Sequence, residues 1–177
     1  VRWDRATGAM RRFTRADGLG NGYAVRMAAE PGGSVWAAVQ SPTAFDYDGL
    51  SRFDGATWVH FPSAGSPITT VPQSMVADPA AGVWLSDGAT AARFDGTAWL
   101  TPLSADGAPR GGHLAVDRNG GVWLASYQTI YRLSGSTWEA RHSFATAIPN
   151  GSAGALAVSE DGTIYVALAE IGTYDSL

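Results

Sequence analysis

The chain has 177 residues, enough to bury one good core, and a formal net charge of −4. All 12 basic residues are arginine and are scattered without a basic block or an acidic tail, which argues against a nucleic-acid partner. Cysteine is absent, which excludes disulfides, zinc-thiolate sites and cysteine nucleophiles, and no apolar run reaches the roughly 18 residues of a membrane helix.

Twenty-two glycines and seven tryptophans among short apolar runs suit many short strands joined by tight turns and give helix little support. At the start, 1–4 and 9–13 read as two strands around a turn at Arg5-Ala6-Thr7-Gly8. Asp17-Gly18-Leu19-Gly20-Asn21-Gly22 then reads as a glycine-rich connector. Four hairpins follow with one grammar: an apolar strand, a small polar turn and a second strand bearing an aromatic. They run over 24–29 with Val35-Trp36, 75–77 with Val83-Trp84, 114–116 with Val122-Trp123, and 155–158 with Ile164-Tyr165. Their aromatics lie 48, 39 and 42 residues apart. Glycine, aspartate and asparagine supply the left-handed conformations that such turns need.

Three of these hairpins continue into a second pair of strands. The pairs carry Arg52-Phe53-Asp54-Gly55-Ala56-Thr57-Trp58, Arg93-Phe94-Asp95-Gly96-Thr97-Ala98-Trp99 and the weaker Arg132-Leu133-Ser134-Gly135-Ser136-Thr137-Trp138. Their tryptophans lie 41 and 39 residues apart, in or just under the period of propeller blades. After the fourth hairpin only Gly172-Thr173-Tyr174-Asp175-Ser176 remains. The expectation is an all-β chain, a single β-propeller region built of four-stranded antiparallel blades. Residues 1–20 would be the back half of one blade, 21–61, 72–100 and 112–144 three blades, and 154–177 an incomplete one. With about four blades present, the surplus of half-blades at both ends predicts a piece of a larger ring or a tandem array, with a self-closed four-bladed ring as the alternative.

A residue needed in every repeat is structural before it is functional. Trp36, Trp84, Trp123 and Tyr165, and with them Trp58, Trp99 and Trp138, are therefore assigned to the core. In a four-stranded blade the loops after the first and third strands share one face. Here they are short and repetitive, whereas the loops on the other face are long and different in every blade. Function on a rigid scaffold belongs to such loops. The richest is Phe45-Asp46-Tyr47-Asp48, two aromatics interleaved with two carboxylates, suited to a sugar, a cation or an amine. Arg110, His113 and Tyr127-Gln128 are the next candidates. His60, His113 and His142 show no metal-ligand spacing, and Asp117-Arg118-Asn119-Gly120 lacks the later ligands of a calcium loop, so no metal or cofactor is expected. No Gly-x-Ser-x-Gly nucleophile motif is present.

Asp17 to Gly22, Gly32-Gly33-Ser34-Val35-Trp36 and Gly49-Leu50-Ser51-Arg52-Phe53-Asp54-Gly55 together resemble the repeat of the two-component regulator propeller family. That repeat pairs an Asp-Gly-Leu connector, a Gly-x-x-Trp strand and a Gly-Leu-x-Arg-Phe-Asp strand. The resemblance extends over nearly the whole chain. It departs after the blade tryptophans, where Ala37-Ala38, Ser86 and Ala125-Ser126 replace Gly-Thr, and in the connectors after Phe61 and Leu100. It implies a non-catalytic region of an extracytoplasmic bacterial sensor that binds a small molecule, glycan or protein and passes occupancy to other domains of the parent chain. Two alternatives stand beside it. One is a propeller lyase or hydrolase of a polysaccharide or lactone, which needs several His and Glu where this chain has three and four. The other is a structural propeller in a surface or filament assembly.

Overall fold

The computed structural model describes residues 1–108 and 110–170. These form 17 strands and a single 3-10 turn, Arg15–Asp17, arranged in five sheets of which none is closed. An N-terminal hairpin pairs β1 (Arg2–Trp3) with β2 (Met10–Arg11). The first full sheet is the antiparallel meander β3 (Tyr23–Ala29), β4 (Val35–Gln40), β5 (Tyr47–Phe53) and β6 (Trp58–Pro62). The second repeats it with β7 (Ser74–Ala77), β8 (Val83–Ser86), β9 (Ala91–Phe94) and β10 (Trp99–Leu100). After the short β11 (Leu103–Ser104) comes the third meander, β12 (His113–Val116), β13 (Val122–Ser126), β14 (Thr129–Ser134) and β15 (Thr137–Ser143). A final hairpin pairs β16 (Gly151–Val158) with β17 (Ile164–Glu170). The strand expected at 171–175 lies outside the described residues.

The first strands of successive sheets are neighbours: β3 lies against β7, β7 against β12 and β12 against β16. Side chains alternate between the two faces of a strand, so each full sheet offers one apolar set to the sheet before it and another to the sheet after it. Between the first and second sheets, Trp36, Ala38 and Leu50 meet Val83, Leu85 and Phe94. Between the second and third, Trp84 and Ala91 meet Leu114, Leu124 and Trp138, with the two indoles edge to face at 5.8 Å. The N-terminal hairpin covers part of the outer face of the first sheet, where Phe13 packs on Phe53 at 5.0 Å and on Trp58 at 5.9 Å.

The tryptophans assigned to the core divide by position. Trp36, Trp84, Trp138 and Trp58 are buried, whereas Trp99 and Trp123 are half-buried. Tyr165, at the same place in the last hairpin, is 61% exposed. That departs from its assignment to the core, and the reason is physical: β16 and β17 stand as a two-stranded sheet, and no later sheet among the described residues covers that face.

The inner tryptophans are more than apolar anchors. Each stands six residues after a turn carboxylate that accepts its indole N–H: Trp36 to Glu30 at 2.8 Å, Trp84 to Asp78 at 2.6 Å and Trp123 to Asp117 at 2.9 Å. An arginine from the third strand completes the set. Arg52 donates to Glu30 at 2.8 Å and Arg93 to Asp78 at 2.7 Å, while the Arg132 guanidinium lies 5.4 Å over the Trp123 ring. A buried indole N–H needs an acceptor and a buried carboxylate needs donors, so each group satisfies the other. Glu30 also accepts the Gly82 N–H of the second sheet at 2.8 Å. Burial alone would raise its pKa, but the bonds from Arg52, Trp36 and Gly82 outweigh that and hold it near about 2. The fourth hairpin has Ser159 at the carboxylate position and no tryptophan six residues on.

Candidate functional site

The meander topology puts two kinds of loop at opposite ends of the sheets. At one end are the turns after first and third strands, where the Oδ1 atoms of Asp4, Asp54 and Asp95 each accept two backbone N–H groups within three residues of them. Asp117 likewise spends its oxygens on the N–H groups of Asn119 and Gly121 and on Trp123. Its turn is a backbone device, not an open ligand set. At the other end lie loops 41–46, 87–90 and 127–128 and the connectors between sheets.

The structure splits the Phe45 to Asp48 stretch. Phe45 is exposed at the loop tip with φ 59°, and the Gln40 side chain donates to its carbonyl at 2.7 Å. Asp46 is exposed beside it. Tyr47 belongs to β5 rather than to the loop: it is buried in the first core cluster, and burial pushes its phenol pKa up. Asp48 points to another place, accepting the Asn21 N–H at 3.1 Å and lying 3.4 Å from His60 Nε2.

Around Asp48 the fold assembles a serine–histidine–aspartate group from residues whose grouping the sequence does not announce. Ser51 Oγ is 3.0 Å from His60 Nδ1 and accepts the Gly20 N–H at 3.1 Å. The order of contacts imitates a hydrolase triad, but Ser51 is 0% exposed in mid-strand. An acyl carbonyl has no path to a sealed hydroxyl, so this group fastens the connector 18–21 to β5 and β6 and does not supply a nucleophile. Beside it an open cavity of about 490 Å³ is lined by Arg15, Asn21, Asp48 and His60, among others.

A second cavity, about 250 Å³, gathers three of the expected residues: Arg110, Tyr127 and Gln128 line it together with Ser126, Thr129 and Tyr131. Tyr127 is 74% exposed and holds φ 50° in a two-residue loop. That left-handed conformation costs a non-glycine residue about 1 kcal/mol or more. The loop is fixed from behind by the Gln128 side chain, which donates to the carbonyls of Ile148 at 2.7 Å and Pro149 at 2.6 Å, and by the Ala153 N–H, which donates to the Tyr127 carbonyl at 2.7 Å. Gln128 is therefore a brace rather than a free ligand contact.

Arg110 hydrogen-bonds Tyr131 and pairs with Asp106, and the Ser104 hydroxyl, the Ala108 N–H and Arg110 hold that carboxyl near about 2. Ser126 Oγ is buried on the cavity wall with no hydrogen-bond partner among the described residues. The arrangement offers one flat aromatic face and a guanidinium at an open cavity, a set suited to a small polar ligand. His113 does not join it: it lies half-buried on β12, opposite Ala125 of β13. Among the described residues no three His, Asp or Glu side chains converge to hold a metal ion.

No protein-family model and no curated protein matches the chain. Solved structures do. One is the extracellular domain of a protein from B. thetaiotaomicron described as a hybrid two component system, with 18% identity over 88% of this chain and 23% of that one, at a TM-score of 0.61. Another, from the same organism, is the extracellular domain of a protein described as a one component system, with 14% identity over 80% of this chain and 19% of the other, at a TM-score of 0.58. The chain thus spans about a fifth to a quarter of the domains it matches. At these identities the likeness is one of fold.

Proposed function

We propose that the chain is an arc of a β-propeller, each meander one blade, and that it belongs to the non-catalytic, ligand-sensing region of an extracytoplasmic two-component-type receptor. Three things support the propeller: a repeat near 40 residues, sheets whose first strands stand side by side in order, and a match to parts of much larger extracellular domains. The domains it resembles support the location and the sensing role. Among the described residues no helix is long and apolar enough to cross a membrane.

The observation that carries the binding site is the Tyr127 loop. An exposed aromatic is held in a strained conformation beside a guanidinium, at the end of the sheets where the loops differ in length and sequence. Strain kept at an exposed side chain is evidence that the side chain has work to do. Phe45, exposed at the corresponding loop of the first sheet with φ 59°, is a second contact point for an extended ligand such as a glycan or peptide. The sealed Ser51 weighs against the hydrolase alternative.

The test is a thermal-shift screen of sugars, peptides and small polar metabolites against the wild type and Tyr127→Gly. Glycine relieves the positive φ, so the variant should melt at the same temperature or a few degrees higher, yet lose the ligand response. At a hundredfold excess over Kd a true ligand adds about 2.7 kcal/mol, roughly 5 to 10 degrees for a chain of this size. A compound that shifts both proteins equally would move the site elsewhere, and a panel that shifts neither would contradict the sensing reading.

A further inference from the structure

The cavity beside Tyr127 lies within the array, on the side of the third sheet that faces the second. It is lined by the third sheet with its β13–β14 loop, by Arg110 of the connector before β12 and by Ala145 just after β15, and Tyr131 on its wall packs on the core cluster shared with the second sheet. Among the described lining residues Arg110 alone carries a charge, and no carboxylate stands with it. The remaining polar groups are hydroxyls and the Gln128 side chain, whose amide nitrogen is spent on the carbonyls of Ile148 and Pro149.

Arg110 is held so that its guanidinium can change partner while its backbone stays in place. The Arg110 carbonyl accepts the Ala91 N–H at 2.6 Å, and the next residue, Gly111, lies so close to Gly88 that a Cβ there would run into the Gly88 backbone. Its acidic partner depends on it little. Asp106 stands outside the cavity lining with its side chain 58% exposed, against 26% for Arg110. Arg110 bonds its Oδ2, whereas the Ser104 hydroxyl at 2.6 Å and the Ala108 N–H at 3.1 Å both bond Oδ1. If Arg110 turned away, Asp106 would keep those two bonds and give Oδ2 to water. A pair as exposed as this is weak, so a better placed anion can compete for the guanidinium.

We propose that the ligand of this cavity presents a carboxylate on a single ring, and that Arg110 selects it by exchanging Asp106 for the ligand's carboxylate while Tyr127 covers the ring face. The inference rests on the reading that the Tyr127 cavity is the binding site. A guanidinium fork matches a carboxylate with two parallel N–H···O bonds. The lining supplies one positive charge, which a monoanion balances, whereas the second charge of a phosphate would enter without a partner. A volume of about 250 Å³ takes one ring with its substituents, whether that ring stands alone or belongs to a longer ligand. Two ring chemistries meet these terms: a sugar acid, with its C–H face on Tyr127 and its hydroxyls toward Thr129 and Ser143, and an aromatic acid stacked on Tyr127.

Backbone-amide NMR titrations of the whole 177-residue chain, read at residues 126–131, test this with two matched pairs of probes: galacturonate with galactose, and benzoate with benzyl alcohol. In at least one pair the acid should bind about tenfold or more tightly than its neutral partner, and the pair that does so separates the sugar acid from the aromatic acid. Asp106→Asn removes the competing charge and should raise that acid-to-neutral ratio about threefold. Arg110→Gln should bring the ratio to about one with the circular dichroism unchanged; if that variant unfolds, the Asp106→Asn ratio decides. Equal affinity for acid and neutral partner in both pairs overturns the proposal and leaves the Tyr127 site standing. An acid preference that neither substitution moves overturns it as well, since the selecting charge then lies elsewhere. No response at 126–131 in any of the four titrations overturns it together with the reading beneath it.

Discussion

Glu30 shows how the chain seals the Trp36 indole without stranding its N–H. It takes bonds from Trp36, Arg52 and Gly82, and through Gly82 it ties the first sheet to the second. Its pKa falls from an ordinary 4.5 to about 2 on folding. A carboxylate with a depressed native pKa stabilises the fold fully above its ordinary value, and that contribution is lost as pH falls from about 4.5 toward 2. Between pH 6 and pH 3 the urea midpoint of the wild type should therefore fall further than that of Glu30→Gln, by the equivalent of on the order of 2 kcal/mol. Equal falls would show that the Glu30 charge does not carry this link. The fixed spacing of six residues from carboxylate to tryptophan was legible in the sequence, but reading each tryptophan only as an apolar anchor left its acceptor unnoticed.

At the scale of the element, the hairpins were readable because their signals are local. Turn chemistry, apolar alternation and a recurring aromatic all lie within about a dozen residues of one another. Gly82 and Gly55 show how differently two such turns constrain the chain. Both hold positive φ, 98° and 105°, but a Cβ on Gly82 would run into the Phe94 carbonyl oxygen, whereas one on Gly55 meets open space. Gly82→Ala should cost more than about 2 kcal/mol in chemical denaturation and Gly55→Ala about 1 kcal/mol; equal costs would mean that the backbone at 82 moves aside freely. What was not legible is non-local. β11 has only two residues, and it is a strand because Leu103 and Ser104 find the edge of β15 in parallel. Tyr47 was read into a loop because acidic neighbours surround it, yet the strand alternation turns it inward to the first core cluster. Ser51, His60 and Asp48 meet across two strands, and no spacing within the sequence announces them.

For the whole molecule, the division between repeated and unrepeated ends was foreseen, and the proposed site lies at the unrepeated end. Within that end the fold groups the candidate residues differently from their order in the sequence. The Phe45 to Asp48 stretch promised most by composition, but its four residues point to a loop tip, the core and the Ser51 group. Arg110, Tyr127 and Gln128 looked weak one by one, and the fold brings them to one cavity because the connector before β12 passes the loop between β13 and β14. That cavity is the center of the functional reading. A backbone-amide NMR titration of the chain with the compound that most raises its melting temperature tests it directly. Shifts are predicted for the amides of 110–113, 126–131 and 143–153, with 30–34, 54–57, 78–82 and 95–98 unmoved. Shifts concentrated in those repeated turns, or around His60, would contradict the account.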